Sequence, residues 1–436
     1  MTGTSDDAGA KGRWSILTLS TIAFTLLFGV WLMLGVLAIK IKPDLHFSDV
    51  QMEWLIAAAI LAGALPRMNF GIWADRFGGK KTMIAILLFC AIPTYLFSRA
   101  TEYWQFVACA LCYGVAGNAF TAGISWNSAW FPRQQKGLAL GVFGGGNVGA
   151  SGTKLMVILY PAVLTMVPAA GYLGGIIPGG WRFIPSLYSV LLVVMAMAVY
   201  LLTPSVEKKP GAGRTMKDVL APLQHMRVWR FSLYYVVVFG AYVALSGWLP
   251  TFYTKTYNVP IQAAALLTAI FIFPASLLRP LGGWLSDLYG PRVVTYSVFI
   301  AMSLALLVLC LPSGTYFGLK YDPSVGLFTA LLFVVACGMG IGKASVYKYV
   351  PDYFPNDVGA VGGLVGALGA LGGFYLPPMF GFLGRATGQP RMAFAAVLLL
   401  TVASLAWLHW TVVAIKVRER KAASLAPGIL PEALPS

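Results

Sequence analysis

Long apolar runs, broken by short polar stretches, fill the chain almost from end to end. A helix needs roughly 20 mainly apolar residues to cross a bilayer. Twelve runs meet that length, at about 14–39, 54–73, 82–99, 103–126, 137–164, 182–202, 231–253, 261–286, 293–312, 325–349, 358–383 and 392–415. The longest polar stretch between them, TPSVEKKPGAGRTMKDVLAPLQHMRVWR at 203–230, is basic and carries prolines. It divides the chain into a first bundle of six spans (1–202), a linker (203–230) and a second bundle of six (231–436). The pattern predicts an all-α membrane protein of twelve transmembrane helices.

Composition agrees. Hydrophobic residues make up 58% of the chain and charged residues 11%, and mean hydropathy is +0.76. A soluble protein cannot bury that much apolar surface, so the lipid bilayer is the first partner. The 48 glycines and 26 prolines suit close helix packing and broken helices. The opening MTGTSDDAGAKG lacks the basic start and cleavage site of a signal peptide, so the first run is kept as a span.

The formal charge of +16 sits in the loops. Nineteen Lys and Arg fall on the side that carries both ends and the linker, against eight on the other. The bias of basic residues toward the cytoplasm then places both termini there. The charge is spread too thinly for a nucleic-acid partner. All five cysteines lie in apolar spans, and the C-x-x-C of Cys109 and Cys112 reads as helix packing. His46, His225 and His409 are scattered. No metal site, no cofactor and no nucleophile–base pair is expected, so the protein is not read as an enzyme. A monomer is expected.

Two arginines stand where the pattern has no place for charge. Arg67 lies in LIAAAILAGALPRMNFGIW and Arg279 in AALLTAIFIFPASLLRPLGGW. A charge near the bilayer centre is costly and marks an ion or substrate path. Each arginine precedes an aspartate by eight residues, Asp75 and Asp287, which is about 12 Å of helix. RMNFGIWADRFGGKK (67–81) aligns with RPLGGWLSDLYGPRV (279–293) at an offset of 212, and the two halves are therefore pseudo-symmetric. No Asp or Glu falls inside a predicted span. An anionic substrate is the expected counter-charge. Such two-bundle repeats hold substrate between the bundles near the midplane.

A second repeated pair is Gly-rich. WFPRQQKGLALGVFGGGNVGASG (130–152) matches YFPNDVGAVGGLVGALGALGG (353–373). The loop motif DRFGGKK after the second span resembles that of the major facilitator superfamily. The segments AGNAFTAGISWNSAWFPRQQKGLALGVFGGGNVG and GIGKASVYKYVPDYFPNDVGAVGGLVGALGALGGFYLPP resemble the paired signatures of its nitrate/nitrite porter family, the NarK type. The second of these is closer to the compact bacterial branch associated with nitrate–proton symport.

That resemblance implies the major facilitator fold and small-anion transport. It also implies which residues act. Arg67 and Arg279 would clamp the anion from the two bundles, since the guanidinium fork matches a planar oxyanion. Phe120, Tyr235 and Phe239 would wall the site, and Asn147 would offer its amide. Tyr235 and Phe239 are four apart, on one helix face. Asp75, Arg76, Lys80, Lys81, Asp287 and Arg292, at the cytoplasmic helix ends, would latch the bundles as gates. Lys343 and Lys154 are the remaining cations in spans. Lysine, unlike arginine, can release its proton when buried, which makes Lys343 the candidate for proton coupling. Lys154 reads as snorkelling to the outer surface.

The expected function is uptake of nitrate by proton symport, with nitrate, nitrite and protons as partners. Nitrate/nitrite exchange is the alternative within the class, because membrane carboxylates are absent. A nitrate receptor without net transport is the alternative outside it.

Overall fold

The computed structural model describes residues 3–150, 167–168, 170–213 and 215–425. Eleven helices among them are long and apolar enough to cross a membrane. They are α1 (Gly12–Trp31), α2 (Val50–Phe77), α3 (Gly79–Arg99), α4 (Tyr103–Trp130), α6 (Gly180–Leu202), α7 (Met226–Tyr257), α8 (Gln262–Tyr289), α9 (Pro291–Cys310), α10 (Val325–Tyr353), α11 (Val358–Thr387) and α12 (Pro390–Val417). The expected span at 137–164 begins as α5 (Lys136–Gly145) and runs into 151–166, outside the described residues, as is Lys154.

Several boundaries differ from the hydropathy pattern. The first span stops at Trp31, and Leu34–Leu45 forms a separate helix. Twenty residues already cover about 30 Å, the hydrocarbon thickness. Conversely, α2, α7, α8 and α10 extend past their apolar windows. Asp75, Asp287 and Asp352 belong to helix ends, where each finds a partner, so charge does not end the helix there. The linker is shorter than the polar stretch, because 226–230 open α7. A two-stranded antiparallel hairpin, β1 (Gly314–Tyr316) with β2 (Leu319–Tyr321), joins α9 to α10. It is a short connection in an otherwise helical membrane fold. Phe317 and Gly318 both take positive φ there, as a two-residue hairpin turn requires.

The halves meet through glycine. Backbone of Gly71 in α2 faces Gly359 in α11, and Gly283 in α8 faces Gly137 in α5, so close that a Cβ at any of the four would collide with main chain. Small residues let helix backbones approach in this way. The contacts lie at the helix ends that carry the linker. The linker itself folds back onto that side. Gly211 N–H donates to Asp75 O, and the Lys80 ammonium donates to the carbonyls of Thr203 and Pro204 at 2.9 and 3.2 Å. The Glu207 carboxylate accepts from the Lys81 N–H at 3.1 Å, at the start of α3.

Candidate functional site

Both arginines sit at matching helix breaks. α2 is interrupted after Ala64 and resumes at Arg67, while α8 is interrupted at Leu278 and resumes at Arg279. Pro66 and Pro280 flank the two breaks, consistent with proline's inability to continue a helix ladder. The breaks turn each arginine inward. Both side chains are 0% exposed.

They converge on one ring. The Arg67 guanidinium carbon lies 6.0 Å from the centre of Phe120 and that of Arg279 lies 5.1 Å from it. Phe120 stacks parallel to Tyr235 at 6.3 Å and to Phe239 at 6.4 Å. Tyr235 and Phe239 stack on each other at 5.0 Å. The helix between them is π-helical, Val236–Gly240, not the regular turn that a four-residue spacing suggests. Single π turns recur at functional sites. Lys343 joins from α10. Its ammonium lies 5.8 Å from the Phe239 ring centre, is directly over Tyr242 at 3.1 Å, and donates to Ala275 O at 3.0 Å.

Three cations and a stack of rings thus share a buried centre, and among the described residues no carboxylate pairs with any of the cations. The two arginines differ in how they are held. Arg67 donates from Nε to Gly63 O at 2.7 Å and from Nη1 to Gly366 O of the opposite half at 3.1 Å, and Nη2 stays unpartnered. Arg279 has no hydrogen-bond partner for Nε, Nη1 or Nη2 among the described residues. Its guanidinium lies over Gly144 of α5, where a Cβ would meet it. The Asn147 amide, one turn on and fully buried, has both Nδ2 and Oδ1 unpartnered, and so has the Tyr235 hydroxyl. Buried donors left unmade cost about 1–3 kcal/mol each, more when charged. The arrangement is complementary to a small planar anion, which accepts in several directions and offers flat faces to the rings.

Phe120→Ala removes the one ring among the described residues that both guanidinium groups face. If the cargo is nitrate, as the sequence resemblance implies, competition for uptake should then discriminate less between nitrate and the larger chlorate, with folding retained. Unchanged competition would make Phe120 a packing residue only.

The expected gating residues divide into two sets. Asp75 and Asp287 each reach the opposite half. Asp287 accepts from the N–H groups of Gly137 and Leu138 at 2.9 and 2.7 Å, at the start of α5. Asp75 accepts from Gly359 N–H at 2.8 Å, at the start of α11, and from the Ser125 hydroxyl. A carboxylate at a helix N-terminus is favoured by the unpaired N–H groups and the helix dipole. Lys80 and Lys81 instead engage the linker. Arg292 bonds Tyr353 within its own half, at 3.1 Å, and Arg76 is half-buried at its helix end.

The structure adds residues that the sequence did not mark. Lys348 pairs with Asp287 at 2.8 Å, lies 3.5 Å from Asp352, and donates across the halves to Arg133 O at 2.7 Å. Arg133 lies 3.7 Å from Asp352. Tyr347 sits edge-on to Phe120 at 4.9 Å and to Tyr235 at 4.6 Å. Trp31 covers Arg67 at 5.1 Å. Only the four-residue spacing of Lys348 and Asp352 was available as a signal. No group of His, Cys, Asp or Glu among the described residues is arranged to hold a metal ion.

Comparisons with known proteins agree with this architecture. A family model described as Major Facilitator Superfamily matches residues 19–377 and, in a second match, 232–433. The chain is 56% identical to a probable nitrate/nitrite antiporter, NarK1, of Thermus thermophilus, over 92% of each chain. It is 29% identical to the nitrite extrusion protein of Bacillus subtilis, covering 90% of this chain and 94% of that one. Identity is also 29% to a probable nitrate/nitrite transporter, NarK2, of Mycobacterium tuberculosis, covering 94% and 98%. Among solved structures, the E. coli fucose:proton symporter FucP superposes with a TM-score of 0.66 at 16% identity, over 89% of this chain and 98% of that one. The proton:xylose symporter XylE does so at 0.70 and 13%, over 92% and 96%. At those identities the structures bear on the fold alone.

Proposed function

The chain belongs to the major facilitator superfamily and, within it, to the nitrate/nitrite porters, and on that premise we propose that it carries nitrate and nitrite across the cytoplasmic membrane by alternating access. One observation carries the reading. Two buried arginines from opposite bundles face the same ring, with Nη2 of one and all three side-chain nitrogens of the other unpartnered among the described residues. Each bundle supplies one fork, Phe120, Tyr235 and Phe239 supply the walls, and Asn147 supplies a further donor. Asp75 and Asp287 hold the linker side closed in this conformation. The count of loop charges supports cytoplasmic termini, and the carrier is taken to act as a monomer.

For the driving force we propose proton symport, with Lys343 as the proton carrier. It is the titratable member of the cation cluster, and it contacts the same ring, Phe239, as Arg67. Exchange of nitrate for nitrite is favoured by a separate observation. Two permanently charged groups share a centre without a carboxylate, so closing the site unloaded is costly, and an exchanger avoids that step.

Uptake of labelled nitrate into proteoliposomes tests both. Symport requires stimulation by an inward proton gradient with no internal anion. Exchange requires stimulation by internal nitrite and indifference to the gradient. Saturable binding without any uptake would overturn the carrier reading in favour of a receptor.

A further inference from the structure

Helix α11 presents a row of glycines to the site, and three of them are engaged in axial order. Gly359 N–H is held by Asp75, Gly362 O accepts from the Tyr347 hydroxyl at 2.8 Å, and Gly366 O accepts from Arg67 Nη1 at 3.1 Å. On a rise of 1.5 Å per residue, Gly362 lies about 4.5 Å inside the Asp75 latch and about 6 Å short of the Arg67 level. Tyr347 therefore occupies the layer between the substrate centre and the linker-side latch. Its ring closes that layer, standing at 83° to Phe120 and 75° to Tyr235, a favourable edge-to-face geometry. It is 1% exposed. A Cβ at Gly366 would stand 2.6 Å from its hydroxyl, so the glycine leaves the room that the tyrosine fills. The next residue on α10, Lys348, bonds the opposite half through Arg133 O.

We propose that Tyr347 is the linker-side floor of the anion site, a positioning residue whose hydroxyl tether to Gly362 must break before the site opens to that side. The ring keeps Phe120 and Tyr235 in register over the anion, and the hydroxyl holds α10 to α11 while the latch is shut. The repeat gives the first half no equivalent. Counting back 223 residues along YFP and WFP, the counterpart of Tyr347 is Ile124, so the floor is supplied by one bundle only. The inference rests on the carrier reading only for the identity of the cargo.

The test uses the full chain with its five native cysteines replaced and one cysteine introduced by Ile124→Cys. Ile124 is buried, and its side chain lies 4.0 Å from where a Cβ on Gly362 would be. A membrane-impermeant maleimide is applied from the linker side, and the alkylation rate is read with and without Tyr347→Phe. Losing one net hydrogen bond shifts a two-state balance by roughly three- to tenfold. Alkylation should therefore quicken by that factor, while nitrate binding to the purified protein weakens less than it does in Tyr347→Ala. Tyr347→Ala should quicken it further and also weaken binding, because the rings lose their edge contact. Alkylation unchanged by Tyr347→Phe overturns the floor. So does a Tyr347→Phe protein that loses nitrate binding as fully as Tyr347→Ala, since the hydroxyl would then serve the anion and not the tether. Failure of the unmutated protein to bind or move nitrate would reject the cargo and leave the alkylation comparison standing.

Discussion

Arg279→Lys is expected to lower nitrate transport by on the order of a hundredfold while leaving folding and thermal stability near those of the unmutated protein. The charge is kept, so the loss isolates geometry. A lysine ammonium is a point charge on a flexible stem and cannot hold a planar anion with two parallel bonds. Losing one or two charge-assisted hydrogen bonds of about 1.5–3 kcal/mol each gives the stated factor. Stability should be spared because none of the side-chain nitrogens of Arg279 bonds the protein among the described residues. Arg67→Lys supplies the contrast. That side chain is bonded to Gly63 O and, across the halves, to Gly366 O. Its replacement should cost transport equally and also lower the melting temperature. Proteoliposome uptake and thermal unfolding of the two variants decide the matter. Normal uptake by Arg279→Lys would end the clamp model.

How much of this site the sequence discloses depends on the residue type. Arg67 and Arg279 are legible because a permanent charge in an apolar run has few explanations, and because the same run recurs 212 residues later. The linker is legible in its polarity, though MRVWR was read as linker and opens α7 as an amphipathic turn. The aromatic wall is different. With 14% aromatic residues, a ring in an apolar helix carries no mark of its own, and Phe120, Tyr235 and Phe239 stand out only through the family resemblance. Tyr347, Tyr242 and Trp31 are placed by how their helices rotate against one another, which periodicity does not encode. Symmetry also misleads at these positions. Along the same 223-residue offset Lys343 replaces Phe120, Lys348 replaces Ser125, and Asp352 replaces Ala129. The halves share their arginines and their aspartate latches. Lys343, Lys348 and Asp352 stand in the second half alone, at positions where the first half is neutral, whereas Arg133 of the first half has the neutral Asn356 as its counterpart.

That asymmetry bears on the driving force, and Lys343→Met is the substitution that reads it. Methionine keeps the length and apolar stem of the side chain and removes the ammonium that lies over Tyr242 and donates to Ala275 O. The Ala275 carbonyl then loses a donor, a cost of about 1–3 kcal/mol that leaves a protein of this size folded. In a symporter, the anion and the proton stabilise each other in one centre. An anion held by Arg67 and Arg279 favours the charged lysine, and the charged lysine favours the anion, by the reciprocity that binding linkage demands. Without the ammonium that coupling is gone. The variant should lose acceleration of net nitrate uptake by an inward proton gradient, yet retain exchange of labelled for unlabelled nitrate, which moves no net proton. The paired measurement separates a coupling role from a merely structural one, because a damaged site loses both activities. If the unmutated protein is driven by protons and Lys343→Met keeps full proton-driven uptake, Lys343 is out of the mechanism. The tyrosines that line the same centre, Tyr235 and Tyr242, would then be the titratable groups left to test.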